Sequence, residues 1–426
     1  MRNFQPGARH PDIEFLQLGL NRAGYELGAV DGAFSVRTGA ALEQFRRDRG
    51  QEGGPDITAS DWRALGPFLV GYVRHTAQVG DTMMQLARRF HTVVEAIATA
   101  NPGVRPERLQ IGQKLVIPLG FPVVPTNVRF TSNVLRYVLQ GLTARYPLIR
   151  RERLGQSVWG QELSALRFGE GPRRVSYNAS HHGNEWITTP ILLKFLEEYA
   201  AAYAETGTIG GMAARPLFDA STLYLVPMVN PDGVDIAIGA ANEGPNYEYA
   251  TYLAESYPSI SFPTDWKANA RGVDLNLQYP AGWERAKEIK FGQGVRFPGP
   301  RDYVGTAPLS EPESRALYDY TLAHAFQFTM SYHSQGQVIY WQYLDHLPKG
   351  SREIGETLSA LSGYTLEETP YESGHAGYKD WFIKHFDRPG YTIEVGLGEN
   401  PLPISQFDQI YRDNVGMLAV GLVIEG

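Results

Sequence analysis

Between Arg173 and Ala202 the hydrophobic pattern changes period. The run R-R-V-S-Y-N-A (173–179) predicts a short buried strand. From Trp186 onward, Ile187, Ile191, Leu192, Phe195, Leu196 and Tyr199 recur at helical spacing and predict an amphipathic helix reaching Ala202. The same alternation runs from about residue 127 to the end. A helix is expected over Ser132–Tyr146, then a strand pair that includes Gln161–Phe168. Further strands are expected at Leu223–Val229, Gln327–Tyr332 and Gly390–Val395. Helices are expected at Pro312–His324, opened by a capping box from Ser310 to Glu313, at Ser351–Ser362 and at Ser405–Val423. Strands interleaved with helices imply an α/β architecture, a mixed twisted sheet with helices on both faces. In such sheets ligands bind beyond the carboxyl ends of the strands.

The first third of the chain has a different pattern. Residues 9–69 predict a compact three-helix unit. Ile13, Leu16 and Leu20 lie on its first helix, Ala41, Leu42 and Phe45 on one face of a helix over Thr38–Arg49, and Trp62 and Leu65 on a short third helix. The positions Leu16-Gln17, Gly24-Tyr25, Val30-Asp31-Gly32-x-Phe34 and Trp62-Arg63-Ala64-Leu65 resemble the three-helix peptidoglycan-binding domain of cell-wall hydrolases. Residues 72–119 read as strand, helix, helix, strand, with the first helix capped by Asp81 or Thr82 and the second stopped before Pro102. Gly80-Asp81-Thr82, Asn101-Pro102 and Gly112-Gln113-x-Leu115-x-Ile117-Pro118 resemble the LysM family, small βααβ domains, and imply binding of N-acetylglucosamine-containing glycan. Leu119–Thr126, with two prolines and no periodicity, reads as a short stiff linker. Three domains are therefore expected, over 9–69, 72–119 and 127–426.

Composition removes several alternatives. A chain of 426 residues is too long for one small domain, and 43% hydrophobic with 20% charged residues describes a globular protein. A formal net charge of -7 argues against nucleic acid as a partner. No run approaches the eighteen apolar residues of a membrane span. With 0 cysteines, disulfides and thiolate metal sites are excluded, which leaves histidine and carboxylate ligands. The opening M-R-N-F-Q-P-G-A-R-H-P has no apolar core of signal-peptide length, so the chain reads as mature or leaderless.

Candidate chemistry gathers at predicted strand ends. His182 and Glu185 sit three apart on the turn between the 173–179 strand and its helix, where both can face one centre. Zinc accepts histidine nitrogen and carboxylate oxygen, and a catalytic site needs one more protein ligand and an open position. The strand at 327–332 runs into His333, which suits that third ligand. Glu394 lies inside the apolar strand Y-T-I-E-V, where an unpaired charge is costly, so it requires a nearby cation, a metal or a proton. Asn230-Pro231-Asp232-Gly233 has turn composition. W-K-A-N-A-R-G-V-D-L-N (266–276) offers Lys267, Arg271 and Asn276 as anion and amide binders. His181 and His375 lack a partner at ligand spacing, and His10 and His91 suit tag-like or surface positions.

The order His-x-x-Glu, N-P-D-G, G-V-D-L-N, S-x-H-S, T-x-E resembles the zinc carboxypeptidase (carboxypeptidase A-like) family over roughly the last 300 residues. The resemblance implies Zn2+ held by His182, Glu185 and His333, with Glu394 as general acid/base. Lys267 or Arg271 is implied as the oxyanion cation, and Tyr371 or Tyr378 as a substrate-capping tyrosine. The family usually follows its asparagine with an arginine that grips a terminal carboxylate; here Asn276 is followed by Leu277, which cannot make that contact. H-x-N-E-W-I-T-T-P-I, V-P-M-V-N-P-D-G-V, G-P-R-D-Y, A-G-Y-K-D-W-F-I and N-P-L-P-I-S-Q-F-D resemble the gamma-D-glutamyl-meso-diaminopimelate peptidase branch. That resemblance implies cleavage of peptidoglycan stem peptides in sporulating Gram-positive bacteria, with Arg271 as a further substrate-binding candidate. The expected location is then the wall or cell exterior, or the sporulating-cell cytoplasm. The alternatives are a conventional metallocarboxypeptidase, which Leu277 opposes, and a non-catalytic wall-bound scaffold, which the full set of four active-site groups opposes.

Overall fold

The computed structural model describes residues 2–425. The chain divides into two compact units, Met1–Arg150 and Arg151–Gly426. In the first, helices Pro11–Arg22, Val36–Arg47 and Ala59–Val70 pack around Leu16, Leu20, Phe45, Trp62 and Leu65, all buried. Each start has a local cause. Ser35 caps the second helix through Thr38, and Thr58 forms a capping box with Asp61 on the third. His10 caps the first by accepting from the Asp12 amide at 3.0 Å and is buried, so its expected tag-like or surface role is corrected. Arg46 and Asp61 form a buried two-pronged pair, Nε to Oδ1 at 2.7 Å and Nη2 to Oδ2 at 2.6 Å.

Strands β1 (Tyr72–Thr76) and β2 (Lys114–Pro118) pair antiparallel around helices Met83–Arg89 and Val94–Ala100. Thr82, rather than Asp81, caps the first of these helices, while Asn101 ties the second to β2 through the Val116 amide and carbonyl. The proline-containing segment after β2, expected as a short stiff linker, is packed onto the first unit. Val123 and Val124 are buried, and the Phe121 and Pro122 carbonyls accept from Arg145 and Arg22. Helix Ser132–Arg145 belongs to this unit, its Gly141 lying against Val70 and Val123.

The second unit is built on strands β3 (Arg150–Gln156), β4 (Glu162–Gly169), β5 (Arg173–Ala179), β8 (Ser221–Val226), β9 (Phe328–Ser334), β10 (Val338–Tyr340), β11 (Thr365–Glu367) and β12 (Gly390–Val395). A separate small hairpin joins β6 (Thr208–Ile209) to β7 (Met212–Ala213). The eight-stranded sheet has the order β11-β10-β12-β9-β5-β8-β4-β3. Strands β12, β9, β5 and β8 run parallel, while β10 and β4 run antiparallel to their inner neighbours. One face carries helices Thr188–Glu205 and Phe407–Gly421, with the Tyr177 hydroxyl donating to the Leu418 carbonyl. On the other face, Ala165, Tyr224 and Val226 pack with Leu317, Trp381 and Phe382 from helices Pro312–His324 and Tyr378–Phe386.

Three local expectations change. A short 3-10 turn, Gly183–Glu185, precedes the helix, which starts at Thr188 rather than Trp186. The N-P-D-G turn opens helix Pro231–Ile238, with the Asn230 side chain accepting from the Gly233 amide at 2.9 Å. Ser310 does not cap the helix after it: Glu311 occupies the cap position, and Glu313 accepts instead from the Val158 amide at 3.0 Å and Asn269 at 3.2 Å.

Candidate active site

The four parallel strands deliver the polar groups to one end of the sheet. The turn after β5 carries His182 and Glu185, β9 carries His333, and β12 carries Glu394. His333 and Glu394 are register partners on adjacent strands. The turn after β5 is held by backbone packing. Asn230 Nδ2 donates to the His181 and Ala268 carbonyls at 3.0 Å each, and the Gly183 amide donates to the Lys267 carbonyl at 3.1 Å. A Cβ on Gly183 would run into the Gly233 and Trp266 carbonyls, so the residue between His182 and Asn184 has to be glycine.

His182, Glu185 and His333, 151 residues apart at their extremes, present ligand atoms within 4.8 Å of one another, and all three are buried. Glu185 Oε1 lies 2.9 Å from His182 Nδ1, and Oε2 lies 2.9 Å from His333 Nδ1. The two Nδ1 atoms are 3.2 Å apart. His182 gives its other nitrogen, Nε2, to Asp274 Oδ1 at 3.0 Å. That hydrogen bond keeps the proton on Nε2 and turns the Nδ1 lone pair inward, the arrangement a metal-binding histidine requires. Two buried lone pairs and a carboxylate facing one point fit a divalent cation of zinc's ligand preferences. Burial opposes ionisation of Asp274, but the charges of His182 and Lys267 hold its carboxyl well below the usual range.

Lys267 Nζ lies 3.1 Å from Glu185 Oε1. Glu394 and Lys267 both line the cavity of about 390 Å³ into which the ligand group opens, with Asn276, Leu277 and Tyr340. Burial and the negative charge of Glu185 push the Glu394 carboxyl up to about 8, against the opposing charges of Lys267 and His182. A cation at the adjacent ligands favours the carboxylate form and lowers the pKa of such a group toward neutral pH, where proton transfer is most efficient.

The other expected residues divide. Asn276 reaches the cavity wall; its Oδ1 accepts the Tyr378 amide at 3.0 Å, leaving its Nδ2 for other partners. Arg271 is not brought to the ligands. It lies in a neighbouring cavity with Trp159, Tyr249 and Tyr303, and its guanidinium is 3.5 Å from Glu311. Tyr378 is fully buried, its hydroxyl 3.1 Å from Thr321, so it is a core side chain. Tyr371 is exposed beside Arg285 and His375, while its neighbours Pro370 and Ser373 line the cavity. His181 contacts Tyr279 at 3.1 Å and, like His375, lies outside the ligand group. Sequence reasoning missed Asp274, although it stands inside the quoted G-V-D-L-N. It also missed Tyr340, at the end of β10, Lys290, on helix Trp283–Gly292, and Arg301, which stands inside the quoted G-P-R-D-Y.

A family model described as zinc carboxypeptidase matches residues 135–416, and one described as LysM domain matches residues 75–118. The chain is 40% identical over 399 residues to gamma-D-glutamyl-L-diamino acid endopeptidase 1 of Lysinibacillus sphaericus, covering 81% of this chain and 98% of that one. It is 38% identical over 276 residues to the uncharacterized protein YqgT of Bacillus subtilis (strain 168), covering 64% of this chain and 72% of that protein. Bovine thrombin-activatable fibrinolysis inhibitor, solved with tick carboxypeptidase inhibitor, superposes with a TM-score of 0.52 at 20% identity, over 68% of this chain and 95% of that one, a likeness of fold. The LysM match points to cell-wall association, and among the described residues no helix is long and apolar enough to cross a membrane. The cofactor of the family is zinc, and the His/Glu/His group is suited to it. The sheet, the ligand group and the matched span agree: the chain belongs to the zinc carboxypeptidase family and is a metallopeptidase.

Proposed function

We propose that this metallopeptidase hydrolyses the gamma-D-glutamyl–diaminopimelate bond of peptidoglycan stem peptides. The observation that carries the reading is Leu277 on the wall of the metal cavity next to Asn276. An aliphatic side chain there offers no bidentate grip on a chain-terminal carboxylate, which disfavours ordinary C-terminal trimming. The relative that covers nearly its whole length with this chain is named for cleavage at a gamma-D-glutamyl-L-diamino acid bond, which supports the same reading.

In this reading His182, Glu185 and His333 hold Zn2+, with Asp274 fixing the tautomer of His182. Zinc, when bound, supplies a water of lowered pKa and polarises the scissile carbonyl. Glu394 takes a proton at its carboxylate and returns it to the leaving amine. Lys267 rather than Arg271 offers charge to the developing oxyanion, because it borders the same cavity as Glu394 while Arg271 lies in another. The LysM segment and the three-helix segment before it bind N-acetylglucosamine-containing glycan and hold the enzyme at its polymeric substrate.

Mass spectrometry of digested muropeptides tests the assignment by identifying the severed bond. New D-glutamate termini paired with released diaminopimelate-containing fragments are expected. Loss of single C-terminal residues, with the gamma bond intact, would instead mark a conventional carboxypeptidase. In the same assay, removal of residues 1–150 should spare the soluble tripeptide and weaken cleavage of whole sacculi. The cut belongs after 150, because helix Ser132–Arg145 packs into the first unit.

A further inference from the structure

Four cations line the metal cavity: Lys267, Lys290, Arg301 and Lys379. Two of them already have partners or a role in the chemistry. Lys267 faces Glu185, and Lys379, almost fully buried, is engaged by Asp380, Thr369 and the Gln342 carbonyl. Lys290 and Arg301 share one carboxylate. Asp302 Oδ1 accepts from Lys290 Nζ at 2.7 Å, and Oδ2 accepts from Arg301 Nε at 2.9 Å. Two cationic side chains thus divide the two oxygens of one carboxylate.

Arg301 keeps the more useful donors. With Nε given to Asp302, its terminal Nη1–Nη2 edge meets no hydrogen-bond partner among the described residues. That edge is the planar fork that matches a carboxylate. The side chain is 45% exposed, so a substrate can reach it. It is also central. Arg301 lines both the metal cavity and an adjoining cavity that includes Asn184, Ser334 and Asn400, and the two cavities share Lys267, Tyr340 and Glu394. Its loop is tied to the metal support, since the Asp302 amide faces Asp274 Oδ2 at 3.4 Å.

We propose that Arg301, oriented by Asp302, is the specificity-determining cation that grips a substrate carboxylate flanking the scissile amide. The inference rests on the peptidase reading above and deepens it. Leu277 has removed the usual place for such a grip and Arg271 stands in another cavity, so Arg301 supplies the fork from the loop tied to Asp274. A gamma-D-glutamyl–diaminopimelate substrate offers this carboxylate from two sources, the alpha-carboxylate of the acyl donor and the carboxylate of the leaving diamino acid.

Steady-state hydrolysis by the zinc-loaded full-length enzyme separates the sources. The probes are L-Ala-gamma-D-Glu-diaminopimelate tripeptide, the same peptide amidated at the D-glutamate alpha-carboxyl, and the same peptide amidated at the diaminopimelate alpha-carboxyl. Wild type is expected to lose about 10- to 100-fold in kcat/KM in one amidated arm, the range of one charged hydrogen-bonded contact. Arg301→Gln should lose a similar factor on the free tripeptide, chiefly in KM, and become indifferent to that same amidation. Arg301→Lys should fall between, with unchanged zinc content in both variants. If Arg301→Gln keeps the wild-type discrimination, or falls equally on all three peptides, the assignment is overturned. Wild type indifferent to both amidations overturns Arg301 alone; wild type cleaving none of the three overturns the peptidase reading with it.

Discussion

Asp274→Asn removes one charge while leaving nearly the same shape. Asp274 Oδ1 lies 3.0 Å from His182 Nε2 and also accepts the Asn276 amide at 3.1 Å, while Oδ2 faces the Asp302 amide at 3.4 Å. The carboxylate thus fixes the proton on His182 Nε2 and raises the basicity of Nδ1. An amide in its place offers a weaker acceptor, or turns its NH2 toward the imidazole and favours the wrong tautomer. Loss of such a partner costs about 10- to 100-fold in metal affinity, or about 1.4 to 2.8 kcal/mol. The assay is competition for zinc with a chromophoric chelator at fixed pH, beside thermal unfolding of the metal-free proteins to establish that the fold is kept. Zinc affinity in Asp274→Asn within twofold of wild type would refute the role given to this carboxylate, and with it the argument that Nδ1 of His182 faces the metal.

Glu394→Gln is expected to retain zinc, because Glu394 is not in the ligand group, and to lower kcat by about 10²- to 10⁴-fold, as for a general acid/base; full turnover would remove Glu394 from the chemistry. In the first unit, Asp61→Asn leaves Arg46 buried without its counter-charge and should cost about 3–5 kcal/mol in denaturant unfolding. Burial opposes ionisation of Asp61, but its bonds to Arg46 and Thr58 lower its pKa overall. Its contribution is therefore present above the unfolded-state pKa and lost as pH falls through the lower folded-state value. An acid unfolding limb of the same steepness in the variant would contradict this.

The ligand group was legible because each member ends or follows an apolar strand, and the α/β alternation says that such ends gather on one side. His333 and Glu394 needed only that rule. The distinction between Lys267 and Arg271 was not legible. They stand four apart in a loop with no periodicity, and the outcome depends on Glu311, forty residues later, drawing Arg271 into another cavity. Arg301 stands beside its partner Asp302 in the quoted G-P-R-D-Y, but its place on the metal cavity and the sharing of Asp302 with Lys290 are set by packing that the sequence does not display. The proline segment after β2 misled because composition reports chain stiffness, not whether Val123 and Val124 find a surface to cover. The Ser310–Glu313 pattern misled because a capping box competes with tertiary partners, and the Val158 amide and Asn269 claimed the glutamate.

The pairing of His333 with Glu394 across β9 and β12 has a consequence for how the enzyme fails. The spacing between them is gauged by a backbone ladder inside the sheet rather than by loops, and ladders in a sheet interior are among the last parts of a protein to open. Gentle warming is expected to loosen the rim of the cavity before it alters that separation. Heat inactivation should accordingly track melting of the whole second unit, so that residual turnover serves as a gauge of how much of the sheet remains intact.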